Sequence, residues 1–61
     1  MPEVIKTNLP FRTVLVGEPD EHRAFVDGYA DLAAAVSDAA KRNARAEELG
    51  VVARYEAVAK P

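Results

Sequence analysis

The stretch "LAAAVSDAAKRNARAE", residues 32–47, carries seven alanines in sixteen positions and constrains the fold more than any other feature. Alanine is the strongest helix former, so this segment is predicted to be an α-helix. Its only large apolar side chains are Leu32 and Val36. Because most of its side chains are small, such a helix lets a neighbouring backbone approach closely. The rest of the sequence must indicate whether that neighbour is a strand of the same chain or a partner.

The residues on either side suggest where this helix begins and ends. "GEPD" at 17–20 combines a turn glycine, capping carboxylates and a proline suited to a first helical turn, and Gly50 suits the position after a last turn. We therefore predict one helix over residues 19–49, with Asp38 and Arg42 as a favourable i, i+4 pair. Such a helix spans about 45 Å, roughly twice the length of a six-residue strand. Half of it would extend beyond its own sheet and would need another chain to cover it.

On a helical wheel the predicted helix has two stripes. The first is apolar and is expected to lie on the strands: Phe25, Tyr29, Leu32 and Val36. The second is a line of small residues, with Leu32 at its edge, that is expected to contact a partner closely: Gly28, Ala35, Ala39 and Ala46. Glycine inside a helix costs about 1 kcal/mol relative to alanine, which favours a packing role for Gly28. The alternative interpretation is that the alanines reflect helix propensity alone.

The remaining segments indicate an α+β protein. "FRTVLV", residues 11–16, is β-branched and aromatic and is the clearest strand. "VVARYEAV", residues 51–58, alternates weakly and fits either a second strand or a short terminal helix. Residues 1–10 are predicted to form an extended N-terminal arm, and residues 11–61 a single small strand-helix-strand domain. Two strands joined by a helix would form a right-handed β-α-β crossover.

The size of the chain argues for association. A chain of about 60 residues buries only about 60% of the surface that its unfolded form exposes, and such small domains usually add disulfides, a metal or a partner chain. The sequence has no cysteine and one histidine, His22, so we predict no disulfide, no metal site and no cofactor. We therefore expect oligomerisation or a partner chain to complete the fold.

Charge and hydropathy narrow the classes of partner. The formal net charge is −2, which gives no strong attraction to nucleic acid or to an acidic membrane surface. No apolar run has the length of a spanning helix, and the N-terminus lacks the pattern of a signal peptide. We predict a cytoplasmic location, or a location within the assembly to which the chain belongs. His22 is interpreted as a solvated residue, and no catalytic residue is predicted.

These observations predict a non-enzymatic accessory or structural subunit of a larger assembly, such as a shell, a virion or a multisubunit complex. Its partner would be a larger protein or copies of itself, with no small-molecule substrate. The arm is expected to bind by strand addition or in a groove, through these apolar anchors: Val4, Ile5, Leu9 and Phe11. The helix is expected to bind through Gly28, Leu32, Ala35 and Ala39.

One alternative is a small dimeric DNA-binding regulator of the ribbon-helix-helix type. A strand followed by two helices would arise if Ser37 started a second helix, and "KRNAR" at 41–45 supplies a basic cluster. A DNA-reading strand needs basic or amide side chains at alternate positions, whereas "FRTVLV" offers only Arg12. Glu47 and Glu48 also follow the basic cluster closely. The regulator is therefore the less favoured prediction.

A second alternative is enzymatic. The pattern "PEVIKTNL…GEPDEHR…VVARYE" is similar to that of the oxalocrotonate-type tautomerases, small chains built on a β-α-β unit. The resemblance implies a catalytic amine at Pro2, with Arg12 or Arg54 holding the substrate. The sequence departs from the family pattern because its clear strand begins near Phe11 and because Met1 precedes the proline. This is the least favoured of the three functions.

Overall fold

A computed structural model describes residues 5–17 and 22–61 of the chain. The elements follow in this order: a 3-10 helix at Lys6–Asn8, strand β1 at Phe11–Val16, strand β2 at Arg23–Tyr29, helix α1 at Leu32–Leu49 and strand β3 at Arg54–Ala59. Three antiparallel strands and one helix confirm the α+β class. Of the predicted N-terminal arm, Val4 and the residues before it lie outside the described part, and the rest includes the short 3-10 helix.

The sheet has the order β2-β1-β3, with β1 in the centre and antiparallel to both neighbours. Phe11 at the start of β1 is opposite Tyr29 of β2 and Ala59 of β3. The predicted β-α-β crossover is therefore wrong, because a crossover of that kind joins parallel strands. The chain instead reverses direction between β1 and β2 before it enters the helix.

The strand β2 occupies residues that the sequence analysis assigned to the helix. Phe25 and Tyr29 are four residues apart, a spacing that fits one face of a helix. In β2 they lie on opposite faces, because Tyr29 is opposite Phe11, Phe25 is opposite Val14, and the register shifts between these pairs. Aromatic and β-branched residues favour a strand, and Gly28 disfavours a helix interior. Pairing with β1 stabilises this segment as a strand. The register shifts between Thr13 and Val14 because β2 carries a bulge.

Helix α1 is consequently shorter than predicted. Its 18 residues begin after Asp31, whose extended backbone marks the N-cap position, and run unbroken through Ser37. The length is about 27 Å, so the expected overhang is largely removed. The C-terminal end is where the sequence placed it, since Gly50 adopts the left-handed conformation with φ 71°. The Gly50 N–H donates to the Glu47 carbonyl at 3.1 Å and the Val51 N–H to the Ala46 carbonyl at 2.8 Å, which forms a Schellman cap.

The orientation of α1 on the sheet differs from the predicted one. Ala35, Ala39 and Ala46 are buried, whereas Leu32 and Val36 are about half exposed at 49% and 51%. The Thr13 hydroxyl on β1 donates to the Ala35 carbonyl at 3.3 Å, so the alanine side of the helix lies on the sheet. Small side chains permit this close approach of helix and sheet. The stripe that contains Leu32 and Val36 therefore does not lie on the strands, and that prediction is wrong.

The two faces of the sheet differ in what covers them. Thr13 faces α1, so Arg12, Val14 and Val16 lie on the opposite face by the alternation of a strand. On that second face Val14 is flanked by Phe25 of β2 and Glu56 of β3, and both valines are buried. The guanidinium of Arg12 lies 5.3 Å from the centre of the Phe25 ring, close enough for a cation–π contact.

Candidate functional site

A group of polar side chains joins β2 to α1, and we call it the β2–α1 polar cluster: Lys6, Asp27, Tyr29, Asp38 and Arg42. The Lys6 ammonium lies 3.1 Å from Asp27 Oδ1, and the Tyr29 hydroxyl donates to Asp27 Oδ2 at 3.4 Å. Arg42 Nε donates to Asp38 Oδ2 at 2.8 Å, which confirms the ion pair predicted from the i, i+4 spacing. The cluster therefore links the 3-10 helix, β2 and α1 through paired charges.

The pKa shifts of Asp27, Tyr29 and Asp38 each favour the ordinary charge state of that group near neutral pH. The hydrogen bond from Lys6, with a second one from the Gly28 N–H, lowers the pKa of Asp27. Burial acts to raise the pKa of Asp38, but hydrogen bonds from Arg42 and other neighbours outweigh it and lower that pKa. Burial and the nearby Asp38 carboxylate raise the pKa of Tyr29. A general acid or base works best with a pKa near the operating pH, and these shifts move away from it.

Gly28 has a packing role that differs from the predicted one. It lies in β2, and a Cβ atom at this position would stand only 2.0 Å from the Lys6 carbonyl oxygen. The 3-10 helix can rest on β2 only because residue 28 has no side chain. Gly28 therefore contacts the N-terminal segment of its own chain and is buried.

Asn43 joins α1 to the outer edge of β3. Its side-chain Nδ2 donates to the Tyr55 carbonyl at 3.0 Å, and its Oδ1 accepts from the Tyr55 N–H at 2.7 Å. The Arg42 guanidinium also lies 5.9 Å from the centre of the Tyr55 ring. Sequence reasoning did not single out Asn43. An asparagine among alanines is a poor helix former, and that contrast was the available signal for a side-chain role.

The residues predicted to bind a partner divide into two groups. Ile5 and Leu32 are exposed, and Leu9 and Phe11 are half-buried. Gly28, Ala35 and Ala39 are buried within the chain, so their predicted contacts with a partner are replaced by contacts with its own sheet and 3-10 helix. The structure brings Gly28 to Lys6 of the predicted arm and does not place it on the helix with Ala35.

The exposed apolar surface is larger than the sequence analysis indicated. In the described part of the chain, seven large apolar side chains are at least 39% exposed: Ile5, Phe25, Leu32, Val36, Leu49, Val51 and Val52. Leu32 and Val36 are one helical turn apart and form what we call the outer helix ridge. Val51 and Val52 line an open groove of about 1010 Å³ between the end of α1 and the ends of β1 and β3. Val52 is fully exposed, at 100%.

The described elements do not have the order of either alternative family. A ribbon-helix-helix chain has one strand before two helices, whereas here two strands precede a single helix and a third follows it. The basic cluster at 41–45 is partly neutralised, because Arg42 pairs with Asp38 and Arg45 lies 3.3 Å from Glu48. Pro2, the amine that the tautomerase resemblance implies, lies outside the described residues.

Three further observations concern metal binding, membrane crossing and similarity to known proteins. In residues 5–17 and 22–61, no three acidic or histidine side chains converge closely enough to hold a metal ion. No helix in this part of the chain is long and apolar enough to cross a membrane. No protein-family model, curated protein or solved structure matches the chain significantly.

Proposed function

We propose that this chain is a non-enzymatic accessory or structural subunit that binds a protein partner through its exposed apolar side chains. The observation that supports the proposal is the placement of the apolar residues: alanines supply much of the buried core, whereas several large apolar side chains are exposed. Among the described residues the buried apolar core consists of Val14, Val16, Ala35, Ala39 and Ala46, and the largest fully buried side chain is Thr13. Several of the larger apolar side chains, among them Leu32, Val36 and Leu49, are about half exposed or more.

Burial of apolar surface stabilises a complex by about 25 cal/mol per Å². The outer helix ridge offers Leu32 and Val36, each about half exposed, with exposed Ala33 and Ala40 beside them. A protein surface with a shallow apolar groove fits such a ridge, because a helix docks by laying one turn-spaced row of side chains into a groove. The partner supplies the large apolar contacts that the chain's own sheet does not make.

The polar groups favour binding over catalysis. The charges of the β2–α1 polar cluster are satisfied by one another, and their pKa shifts point away from neutrality. The apolar groove at the end of α1 is lined mainly by Val51, Val52, Leu15 and Tyr55, and Glu47 and Arg54 are its charged groups. The assembly that contains the subunit would be cytoplasmic, in keeping with the sequence-based prediction.

The test is native mass spectrometry of the chain isolated from its own cells, in wild-type form and in two double variants. Leu32→Ser with Val36→Ser removes the outer helix ridge. Lys41→Ser with Glu48→Ser is the matched control, with the same number of serines at exposed positions of the same helix and an unchanged net charge. We expect the wild type and the control to carry one defined partner at a fixed copy number, and the ridge variant to lose it while keeping its circular dichroism spectrum.

Two results would overturn the proposal. One is a wild-type chain that is isolated without any protein partner. The other is a ridge variant that retains the partner at the wild-type copy number.

A further inference from the structure

The backbone of β3 reveals which of its hydrogen-bonding groups point away from the sheet. The Lys60 N–H donates to the Pro10 carbonyl at 2.8 Å, so the even-numbered residues of this segment direct their backbone groups toward β1. The odd-numbered residues, Tyr55, Ala57 and Ala59, direct theirs outward by the alternation of an antiparallel strand. The contacts of Tyr55 with Asn43 agree with this assignment, because they come from outside the sheet.

The edge formed by β2 is closed to a further strand. Its register with β1 is interrupted by the bulge, and bulged edges resist strand addition. The Gly28 N–H is bound by the Asp27 carboxylate at 2.9 Å, and the Lys6 backbone lies directly against Gly28. A strand approaching β2 would have to displace these contacts.

The edge formed by β3 is closed over its first half only. Helix α1 lies over the central strand at Ala35 and reaches the outer edge of β3 at Asn43, where it occupies both outward groups of Tyr55. The outward groups of Ala57 and Ala59 have no hydrogen-bond partner within residues 5–17 and 22–61. The pairing of β3 with β1 is regular over all six residues, so this second half is a straight, open edge.

We propose that a second copy of this chain binds at this edge, its β3 antiparallel to the first, with the twofold axis at Val58. Ala57 of each copy then lies opposite Ala59 of the other, and their outward groups form four backbone hydrogen bonds. Glu56 of each copy lies opposite Lys60 of the other on the second face of the sheet. Opposite charges directly across an antiparallel pair stabilise it, so the surface is self-complementary in charge.

Two other registers of the same strand pair are disfavoured by the residues that they would place opposite one another. A twofold axis at Ala57 would place Arg54 of one copy opposite Lys60 of the other, which sets like charges together. It would also need the outward backbone groups of Tyr55, which Asn43 occupies. An axis at Ala59 pairs Ala57 with Pro61, which has no N–H to donate. The register with its axis at Val58 needs neither the outward groups of Tyr55 nor an N–H from Pro61. Among the described residues the Glu56 carboxylate has only long ion pairs, 3.8 Å to Arg54 and 3.9 Å to Arg23, so it can accept a hydrogen bond from lysine.

The resulting dimer has one continuous six-stranded sheet. An axis between antiparallel strands runs perpendicular to the sheet, so both α1 helices lie on the same side. On α1, Leu32 and Val36 are about half exposed and lie on the same helical stripe as Asn43, which contacts β3. The dimer depends on backbone groups of β3, whereas the proposed partner binding depends on the Leu32 and Val36 side chains, so substitution of those side chains tests the two proposals separately.

The first experiment is analytical ultracentrifugation of the purified full chain over a concentration series. We expect a concentration-dependent dimer of twice the 6.6 kDa chain mass. Glu56→Lys alone and Lys60→Glu alone each set like charges opposite one another and should raise the dimer Kd roughly tenfold. Mixing the two variants restores both opposite-charge pairs, so the mixture should form a heterodimer near the wild-type Kd. Lys41→Glu, at an exposed helix position, is the control for net charge.

The second experiment tests the register. The chain has no cysteine, so Val58→Cys introduces a single thiol at the proposed axis. Residues opposite one another in a non-hydrogen-bonded pair have Cα atoms about 4.5 Å apart, within the range of a disulfide. Mild oxidation should link two Val58→Cys chains much faster than two Val52→Cys chains, whose thiol is exposed but distant from the edge.

Three results would overturn the proposal: a wild-type chain that is monomeric throughout the series, a Lys60→Glu variant with the wild-type Kd, or mixed charge variants that do not associate. Equal cross-linking of the Val58→Cys and Val52→Cys chains would overturn the register. A Leu32→Ser, Val36→Ser chain that still dimerises shows that the edge acts independently of the outer helix ridge.

Discussion

The two sides of helix α1 are built from different kinds of residue, and the smaller ones face inward. The inner side carries Ala35, Ala39 and Ala46, all buried. The stripe beside it, which we call the outer side, carries Leu32 and Val36, both about half exposed, and Asn43 continues this stripe toward the edge of β3. Close approach of a helix to a sheet needs small side chains, and large apolar side chains contribute most where they are buried. The inner side thus fits the chain's own fold, and the outer side stays half exposed and is the surface of the proposed partner contact.

The largest effect is expected from enlarging a residue on the inner side. Ala35→Leu adds three carbons at a position that is 0% exposed and lies over Thr13, where the sheet has no room for them. The free energy of unfolding should fall by about 3 kcal/mol, near the upper end for overpacked cores. Urea denaturation measures the change.

The matched control is Ala33→Leu, the same substitution on the exposed side of the same helix. It should change the free energy of unfolding by less than about 0.5 kcal/mol, as for most surface substitutions. Equal losses in the two variants would contradict the assignment of an inner and an outer side.

The contrast between the two sides also shows why the sequence led to the wrong face. The residues 25, 29, 32 and 36 continue a helical spacing across what is in fact a strand, a two-residue turn and a helix. Phe25 and Tyr29 fit a strand equally well, and only their pairing with β1 distinguishes the two. Once β2 was counted as helix, Leu32 and Val36 completed a large apolar stripe that outweighed the alanines.

Other parts of the fold were predictable because their signals are local. The helix over the alanine-rich segment, its end at Gly50 and the strand at Phe11–Val16 depend on propensity and capping, and the structure confirms them. The C-terminal strand was one of two stated alternatives, and the structure has it at Arg54–Ala59. The Asn43–Tyr55 contact and the open half of the β3 edge depend on tertiary placement, which no local pattern encodes.

A smaller effect is expected from Asn43→Ala, which removes the polar contact between α1 and the edge of β3. Two hydrogen bonds to the Tyr55 backbone are lost, and the better helix propensity of alanine offsets part of that loss. The free energy of unfolding should fall by about 1 kcal/mol. Hydrogen exchange provides a local measurement, because the Tyr55 amide should exchange faster while amides in β1 stay protected. Ser37→Ala, an exposed polar position on α1, is the control, and a similar loss in it would contradict the role of Asn43.

The next effect is a dependence on pH at the boundary between helix and sheet. The folded chain lowers the pKa of Asp27 and Asp38 below their ordinary value of 3.8. The unfolded chain therefore binds protons at higher pH than the folded one, so the contribution of these carboxylates is complete well above pH 3.8 and is lost as the pH falls through the lowered values. Thermal melts through the acid range should show Tm falling below about pH 4.

Asp38→Asn provides the comparison for this pH dependence. The variant lacks the carboxylate that accepts from Arg42, so it should be less stable near neutral pH and should lose less on acidification. If Tm falls by the same amount on acidification in the variant and in the wild type, that result would contradict a role for Asp38 in acid unfolding.

The smallest effect on the isolated chain is expected from Val36→Ala on the outer side. The side chain is 51% exposed, and alanine has the higher helix propensity, so the change in the free energy of unfolding should stay within about 0.5 kcal/mol. Binding to the proposed partner should weaken severalfold in the same variant, because the lost methyl groups would be buried only in the complex. Calorimetric melting of the free chain and titration against the isolated partner separate the two quantities. A variant that loses stability without losing affinity would place Val36 in the chain's own core and remove the distinction between the two sides of α1.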